Sequence, residues 1–544
     1  MLRRLTGAAL AALLLIGSFA VTGTAATDVA AVPDPVAALK QRPPQDDIIY
    51  LIMTDRFFDG DKSNDIDVNS GDPQAYHGGD LQGVIDKLDY IQSLGVTAIW
   101  ITPVVQNQDR GYHGYWATDF EKVDQHLGTL ATLQNLVKQA HQRGIKVLLD
   151  VVVNHTGPQH PWVNDPAKQD WFHQVGPISD WNDQQDIEQG QLFDLPDLAQ
   201  ENPAVTEYLL NVDKRWITDT DVDGFRLDTV RHVPKTFWQR FAQEMHLTKP
   251  GFFLMGEAWN SDPAYIAGYQ ATGLDSLLDF PRQQAIQGVF ISGNSPGLLN
   301  DLQAEEDKVF PDSSKVTTFI DNHDMARFVT QAGDDAELKL RAALAYLLTA
   351  KGIPVLYYGT EVAMEGGSDP DNRHDMTFGS NPAMTAYLQS LTTLRRDQAA
   401  LRRGAYVPID ADPASWVLAY ARVPAPATGK TAAGKPVVVA INTGVEPQHV
   451  TLTLPADVHL TGGSLTDALG AAHQQFELKP GSDRAVYTVT LDLAPFQAAV
   501  LLPSSRTLPE APTGLALAAL LLAAVGLAWY AQRRGIRQAA RGIR

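Results

Sequence analysis

The chain has 544 residues, of which 44% are hydrophobic and 19% charged, and its 43 Lys and Arg against 63 Asp and Glu give a formal net charge of −20. The acidic balance argues against a nucleic-acid-binding protein, and the hydrophobic content excludes disorder throughout. There is no cysteine, so disulfides, thiolate metal sites and cysteine nucleophiles are excluded, and any chemistry must come from carboxylates, histidines, serines or oxygen-ligated metals.

The first 26 residues have the order of a secretory signal peptide. Arg3 and Arg4 precede an apolar run that ends near Val21, and small residues follow it up to Ala26. We therefore expect cleavage near Ala26 and export of the chain. An uncleaved N-terminal membrane anchor is the alternative, which the short apolar run and the small residues after it disfavour.

Short β-rich runs alternate with amphipathic helical patterns from Asp47 onward, which favours parallel strands joined by helices. The eight predicted strands are 48–54, 98–103, 146–153, 224–228, 252–257, 276–280, 317–321 and 354–358. Eight such units over residues 46–400 predict an α/β protein with a (β/α)8 TIM barrel. A doubly wound open sheet is the alternative, but no glycine-rich phosphate loop follows the first strand.

Two regions fall outside the barrel pattern. The connection over about 156–203, after the third strand, is too long for a simple loop and predicts a small excursion domain. After about Leu401 the helical pattern stops, and alternating runs up to Pro503 predict a C-terminal antiparallel β-sandwich domain.

The end of the chain has the pattern of a membrane anchor. Residues 514–531 are apolar and uncharged, and five arginines follow them. After a linker at 504–513, this pattern predicts a transmembrane helix and a cytoplasmic basic tail at 532–544, with the folded domains outside the membrane. The stretch from Leu508 to Gly514 also resembles removable surface-sorting signals, so removal of the segment is the alternative.

Charged side chains fall at the ends of predicted strands, where a barrel of this kind forms its active site. Four strand ends carry them: 150–155, Arg226 with Asp228, Glu257, and 322–324. Cleavage of a glycosidic bond needs one carboxylate at the anomeric carbon and a second, protonated one that donates to the leaving oxygen. Arg226 favours the ionised form of Asp228, which suits a nucleophile. The apolar run before Glu257 and the nearby like charges raise the pKa of Glu257, which suits an acid.

Four ordered segments, 150–155, 224–232, 256–259 and 319–324, resemble the short motifs of the α-amylase family of glycoside hydrolases (family 13), and Leu195–Leu198 resembles a fifth. The resemblance spans about residues 46–500. It implies retaining, endo-type hydrolysis of α-1,4-glucosidic bonds in starch, maltodextrins or related α-glucans. It also implies these roles: Asp228 as nucleophile, Glu257 as acid/base, Asp324 as stabiliser of the distorted sugar, and His155, Arg226, Arg231 and His323 as substrate-binding residues.

Other segments resemble the cyclodextrin glucanotransferase-like members of the family. Residues 112–116 resemble the segment whose tyrosine, here Tyr115 beside His113, stacks under the attacked sugar. Asp369 and Arg373 lie in a segment similar to one that holds a sugar further along the donor side, and Phe193 lies where these enzymes carry an aromatic at the centre of the cleft. The glucanotransferases continue into further β domains, whereas here an apolar run follows the β domain, so we expect hydrolysis rather than cyclisation.

Two other functions remain open. A 4-α-glucanotransferase, or a maltogenic or cyclomaltodextrin-hydrolysing enzyme, would use the same catalytic residues. A non-catalytic carbohydrate-binding surface protein would be expected to lack a carboxylate, and Asp228, Glu257 and Asp324 are all present. We expect an α-glucan as the partner of the site, no nucleic acid and no obligate protein partner.

The resemblance also implies structural calcium at one or two sites. Asn154, Asp197 and the backbone carbonyl of His232 match the family's site between barrel and excursion domain. A second set resembles the N-terminal calcium loop of the glucanotransferase-like members: Asp59, Asp61, Asn64, Asp65, Gly78 and Asp80. Oxygen ligands of this kind suit Ca²⁺.

Overall fold

The computed structural model describes residues 35–409, 415–424, 434–460, 463–470, 472–481 and 486–504. The predicted signal peptide, transmembrane helix and basic tail lie outside these residues. Among the helices within those ranges, none has the length and apolar character that a bilayer span requires.

The strands, in chain order, are β1 Ile49–Ile52, β2 Ala98–Ile101, β3 Val105–Asn107, β4 Ala117–Val123, β5 Lys146–Val151, β6 Gly224–Leu227, β7 Phe253–Gly256, β8 Ser276–Leu277, β9 Thr317–Thr318, β10 Ile353–Tyr357, β11 Ala405–Pro408, β12 Val417–Val423, β13 Val437–Asn442, β14 Gln448–Leu454, β15 Ser464–Asp467, β16 Gln475–Glu477, β17 Lys479–Pro480, β18 Tyr487–Leu493 and β19 Ala498–Pro503. The α-helices are α1 Pro35–Gln41, α2 Thr54–Phe57, α3 Leu81–Asp86, α4 Leu88–Ser93, α5 Leu130–Gln142, α6 Gln184–Gln189, α7 Pro203–Thr220, α8 Lys235–Thr248, α9 Pro263–Gln270, α10 Phe280–Phe290, α11 Gly297–Val309, α12 Phe328–Ala332, α13 Ala336–Thr349, α14 Pro382–Asp397 and α15 Ala399–Arg403.

Eight parallel strands form the barrel in the order β8-β7-β6-β5-β2-β1-β10-β9. A bridge between Leu278 and Thr317 joins its two ends, so the sheet closes and the open-sheet alternative is wrong. Strands such as β1 and β2 are buried along their whole length, because barrel side chains fill one face and helices cover the other. The predicted TIM barrel is confirmed.

The helices begin where the sequence supplies caps. Thr129 and Thr132 form a reciprocal capping box at the start of α5, and Asn202 caps α7, whose first residue is Pro203. The side chain of Asp279 accepts from the N–H of Arg282 and starts α10 directly after β8. The predicted fifth residue of that strand, Phe280, is therefore helical.

The excursion after β5 has the predicted place in the fold. It consists of short 3-10 turns and α6; the bridge His155–Asp197 ties it back to the segment after β5, and the bridge Phe172–Leu198 pairs two of its own segments. A second excursion was not predicted. Strands β3 and β4 pair as an antiparallel hairpin after β2, and Tyr115 lies in the loop that joins them.

The C-terminal part contains two antiparallel sheets, β11-β12-β13-β19-β15-β16 and β14-β18-β17, in agreement with the predicted fold class. Strand β12 is buried on both faces, because Leu418 and Tyr420 pack in the cluster of the barrel while Ala419 and Ala421 pack between the two sheets. Arg422 fixes the junction by donating to the carbonyl of Thr349 at the end of α13.

Candidate active site

The predicted catalytic carboxylates lie on neighbouring strands, at the same end of the barrel. Asp150 is paired in register with Arg226 across β5 and β6. Asp228 and Glu257 follow β6 and β7 directly, and their N–H groups donate to the carbonyls of Val151 and Leu227 at 2.9 Å. The hydrogen bonds between strands therefore fix the position of these carboxyl groups along the barrel axis, since each backbone is still hydrogen-bonded where its side chain enters the site.

Arg226 is fully buried at the centre of this group and contacts three carboxylates. Its Nη1 donates to Asp228 Oδ1 at 2.7 Å and to Asp150 Oδ1 at 3.0 Å. Its Nη2 lies 2.9 Å from Glu257 Oε1 as an ion-pair contact without the alignment of a hydrogen bond. One buried cation thus faces three acidic groups, an arrangement in which at least one carboxyl group is stabilised in the protonated form.

The pKa values of the pair separate in the direction that the sequence predicts. Burial raises the pKa of Glu257 to about 8; Arg226 opposes this, and the charges of Asp228 and Asp324 add to it. Burial also raises the pKa of Asp228, to about 6, against the lowering effect of Arg226. Arg226 does favour the ionised form of Asp228, but burial outweighs it, so the net shift is upward. Of the two groups, Glu257 therefore holds its proton to the higher pH.

Tyr115 and its neighbours form one wall of the site. The Tyr115 hydroxyl donates to Asp150 Oδ2 at 2.9 Å and lies 2.7 Å from His323 Nε2. Its backbone N–H donates to His113 Nδ1, and its carbonyl lies 3.2 Å from His155 Nε2. Burial lowers the pKa of His155 to about 4 and that of His323 to about 3, so both rings are neutral near pH 7 and can hydrogen-bond a sugar hydroxyl without adding charge.

Asp324 lies on the open side of the site and connects it to the loop that carries Asp369 and Arg373. Its Oδ2 is 3.3 Å from His323 Nε2, and its Oδ1 is 3.3 Å from Arg373 Nη2. Arg373 Nη1 lies 3.0 Å from Asp369 Oδ1. The structure therefore brings Asp369 and Arg373 to the catalytic group, as the resemblance implies.

Three aromatic side chains in the excursion and in the segment after β7 are exposed. Phe193 is 84% exposed and adopts a left-handed backbone conformation, with φ 52°. Trp181 and Trp259 are 51% and 43% exposed, and Arg231 connects them: Nη1 donates to the Trp259 carbonyl at 2.7 Å, and the guanidinium lies 5.8 Å from the Trp181 ring. The flat faces of aromatic side chains suit sugar rings.

Two residues of this site, Trp181 and Asp150, were not predicted as site residues. Trp181 lies in the excursion, where one exposed aromatic cannot be told from a buried one. Asp150 was recognised only as the start of a motif, yet it accepts hydrogen bonds from Trp100, Tyr115 and Arg226. The available signal was that Asp150 is the second-last residue of β5 and faces the same side of the strand as Leu148.

The expected calcium ligands between barrel and excursion fit a hard cation in part. Asn154 Oδ1 and Asp197 Oδ1 are buried and accept no hydrogen bond. Burial raises the pKa of Asp197 to about 7 although His173 Nδ1 lies 2.6 Å from its other oxygen. His232 is buried, and its ring contacts the Ile187 carbonyl. The expected ligand is the backbone carbonyl of His232, which takes no part in that contact. Within the described residues, no group of three or more His, Asp or Glu is arranged to hold a metal, so a site here depends on amide and carbonyl oxygens.

The N-terminal loop offers a second set of free oxygens. Asp59 Oδ1, Asn64 Oδ1 and Asp65 Oδ1 are buried without a hydrogen-bond partner. A Cβ added to Gly78, whose φ is +94°, would lie 2.9 Å from Asp65 Oδ1, so this residue must be a glycine where the oxygens converge.

The other two predicted ligands of this loop have protein partners. Asp61 caps the turn at Ser63. Asp80 accepts four hydrogen bonds, from the N–H groups of Gly60, Asp61 and Gly83 and from the amide of Asn64, so it offers no free oxygen in this arrangement.

Comparison with known proteins gives one consistent result. The family profile described as "Alpha amylase, catalytic domain" matches residues 51–405, which is more than half of the chain. The chain is 44% identical over 375 residues to the "Beta/alpha-amylase" of Paenibacillus polymyxa; this match covers 65% of the chain but only 31% of that longer relative.

Solved structures resemble the whole described fold. An α-amylase from Anoxybacillus is 43% identical with a TM-score of 0.78, covering 86% of this chain and all of that one. The cyclomaltodextrin glucanotransferase CldA, described as having a three-domain ABC distribution, is 34% identical with a TM-score of 0.74, covering 85% of this chain and 99% of its own.

Proposed function

The chain belongs to the α-amylase family of glycoside hydrolases, and we propose that it hydrolyses α-1,4-glucosidic bonds within starch, maltodextrins or related α-glucans with retention of configuration. The observation that carries the proposal is the pair Asp228 and Glu257, which share one buried arginine yet differ in pKa in the sense that nucleophile and acid require. The exposed Phe193, Trp181 and Trp259 supply a cleft suited to a chain of sugars.

The geometry divides the reaction between these residues. Asp228 attacks the anomeric carbon while Glu257 donates its proton to the leaving oxygen, which yields a covalent glycosyl ester. Glu257, now ionised, removes a proton from water, which attacks the same carbon and releases Asp228. Neutral His155 and His323 and the open carboxylate of Asp324 are placed to hydrogen-bond the attacked sugar. The Tyr115 ring is fixed by Asp150 and His323 to stack against it.

The stereochemical outcome tests this function. We expect NMR of freshly cleaved maltoheptaose to show the α-anomer first, because two inversions retain configuration, and an experimental structure to place the Asp228 and Glu257 carboxyl groups about 5–5.5 Å apart. Soluble starch should give a rapid fall in polymer size before short products accumulate, as internal cleavage requires. A β-anomer, or a carboxyl separation near 9 Å, would rule out the assigned roles.

A second activity, transfer of a glucosyl chain to another sugar, has its own support. The chain is similar to CldA over nearly all of that glucanotransferase, and Phe193 presents an open aromatic face. Further β domains therefore do not distinguish every glucanotransferase, since CldA is described as having three domains. Products longer than the supplied maltoheptaose, or cyclic products, would identify transfer; their absence would leave hydrolysis as the only activity.

We expect chelation to lower thermal stability more than catalysis at low temperature. The orphaned oxygens of Asn154 and Asp197 fit a calcium ion, and so do those of the 59–65 loop; an ion bound only by the folded state adds about 2.7 kcal/mol at 100 times its Kd. EDTA should therefore lower Tm in calorimetry, and calcium but not magnesium should restore it. Asp197→Ala and Asp65→Ala should each remove part of the calcium-dependent shift. A Tm that EDTA leaves unchanged after long incubation would contradict structural calcium.

Both terminal segments support a location outside the cytoplasmic membrane, with the chain held by residues 514–531. We expect full-length protein to sediment with membranes and to be accessible to external protease once any outer barrier is opened. A version that stops after Ser505 should be soluble and equally active, because the described domains end by then. Equal solubility of the two forms would contradict a retained anchor and favour removal of the segment.

A further inference from the structure

The loop at residues 366–376 carries both donor-side residues, Asp369 and Arg373. Its central part is fixed to the segment that follows β9: the Asn372 amide donates to the carbonyls of His323 and Met325 at 2.7 and 2.9 Å, and Arg373 Nε donates to the His323 carbonyl at 2.9 Å. This side of the loop is therefore held in place by the segment that carries His323 and Asp324.

The other side of the loop is fixed to a different part of the molecule, the segment at residues 55–78. The Met376 N–H donates to the Arg56 carbonyl at 2.8 Å. His77 Nδ1 lies 2.6 Å from Asp375 Oδ1, only two residues after Arg373. This His77–Asp375 contact is thus the side-chain link between the segment and the loop that carries the donor-side pair.

His77 is held firmly enough to act as a reference point. Its ring is 9% exposed, and its Nε2 lies 3.1 Å from the carbonyl of Asp72. Its backbone N–H donates to both carboxylate oxygens of Asp55 at 3.0 Å. With both ring nitrogens and the backbone engaged, the ring has one orientation, and Asp375 is the partner that can adjust.

The energetics of the link favour a role in positioning over one in stability. The Asp375 side chain is 55% exposed, and ion pairs at such sites add little to folding. A small displacement at Asp375 nevertheless reaches Arg373 through two peptide units, and Arg373 contacts both Asp369 and Asp324.

We propose that His77 and Asp375 are positioning residues for the donor side of the cleft, and that their contact determines how strongly the enzyme holds a glucan extending beyond the sugars next to the cleaved bond. This inference rests on the proposed function. It assigns to residues outside the catalytic group an effect on chain-length preference, separate from any effect on bond cleavage.

The test compares two substrates with the same aryl leaving group, an aryl α-maltoside and an aryl α-maltopentaoside. In Asp375→Ala the ratio of kcat/KM for the long over the short substrate should fall about fivefold, through KM, while kcat/KM for the short one is unchanged. His77→Ala should give the same fall, and the double variant no further fall, as a coupled pair requires. Asp492→Ala, which removes the exposed His449–Asp492 pair at 2.7 Å on the C-terminal sheets, should leave the ratio unchanged.

The outcomes distinguish a failure of the positioning role from a failure of the proposed function. An unchanged ratio in Asp375→Ala, an equal loss on both substrates, or a wild-type enzyme without preference for the longer substrate overturns the positioning role. A wild-type enzyme that cleaves neither substrate refutes the proposed function instead. Thermal unfolding of each variant accompanies the kinetics, and Asp375→Ala decides the question if His77→Ala does not fold.

Discussion

Asp228→Asn is expected to lower kcat on maltodextrins on the order of 10⁴-fold while the protein keeps its fold. The covalent step needs an ionised carboxylate at the anomeric carbon, and an amide cannot supply it. The replacement has the same shape, and its Oδ1 can still accept from Arg226 Nη1, so the buried guanidinium keeps a partner. Steady-state kinetics on maltoheptaose and a calorimetric Tm within a few degrees of wild type would show both parts of the result.

Two further measurements make this prediction sharp. In Asp228→Ala, which opens space where the carboxylate stood, azide can attack from that side, so it should restore turnover of an activated α-glycoside and give a product of inverted configuration. Asp492→Asn on the exposed C-terminal sheet is the matched control and should behave as wild type. If Asp228→Asn kept more than about one hundredth of the wild-type activity, Asp228 would be excluded as the nucleophile. If the control lost as much activity as Asp228→Asn, the loss would not be specific to Asp228, and this too would contradict the prediction.

The barrel could be predicted because buried parallel strands are continuous apolar runs, as in Ile49–Ile52 and Ala98–Ile101. The ends of two strands could not be predicted, because the sequence does not show that Asp279 and Asp321 bond to helix N–H groups. Asp279 caps α10, and the Asp321 carboxylate accepts from the Phe328 N–H where α12 begins; of the predicted strands 276–280 and 317–321, only the first two residues of each are strand.

Asp228 and Glu257 could be predicted because each lies immediately after a barrel strand, so its place in the barrel follows from its place in the sequence. The contacts that orient them could not. Asp150 meets Trp100 and Tyr115, 50 and 35 residues away, and the latter lies on a hairpin whose first strand, Val105–Asn107, is too short to show alternation. The His77–Asp375 contact joins residues 298 apart and leaves no local signal at all.

The pH dependence of the wild-type enzyme follows from the pair. Activity requires Asp228 ionised and Glu257 protonated, and burial raises their pKa values to about 6 and about 8. The rate should therefore fall as the pH drops through about 6, because Asp228 becomes protonated, and fall again as the pH rises through about 8, because Glu257 loses its proton. The two limbs belong to a coupled group of carboxylates, since the charge of Asp228 raises the pKa of Glu257 and the charges of Asp150 and Asp324 raise the pKa of Asp228.

Glu257→Gln should reduce the cleavage of substrates whose leaving group needs a proton far more than the cleavage of substrates whose leaving group does not. The amide cannot donate a proton, so kcat/KM on maltodextrins should fall on the order of 10³-fold, whereas a maltosyl fluoride, whose leaving group needs no proton, should lose far less. Gln keeps the size of the side chain and can accept from the Thr229 N–H as Glu257 Oε2 does at 3.1 Å, so the fold is expected to persist.

The pH profile of this variant gives an independent test. Its residual activity on the fluoride should lack the alkaline limb near pH 8, because no titrating acid remains at that position. The acid limb near pH 6 should stay where it is, because Glu257 is already protonated and uncharged where Asp228 titrates, and the like charges that raise the pKa of Asp228 are those of Asp150 and Asp324. Equal losses on starch and on the fluoride, or an alkaline limb that persists in Glu257→Gln, would assign the proton donor to another residue and leave Glu257 with a purely structural contact to Arg226.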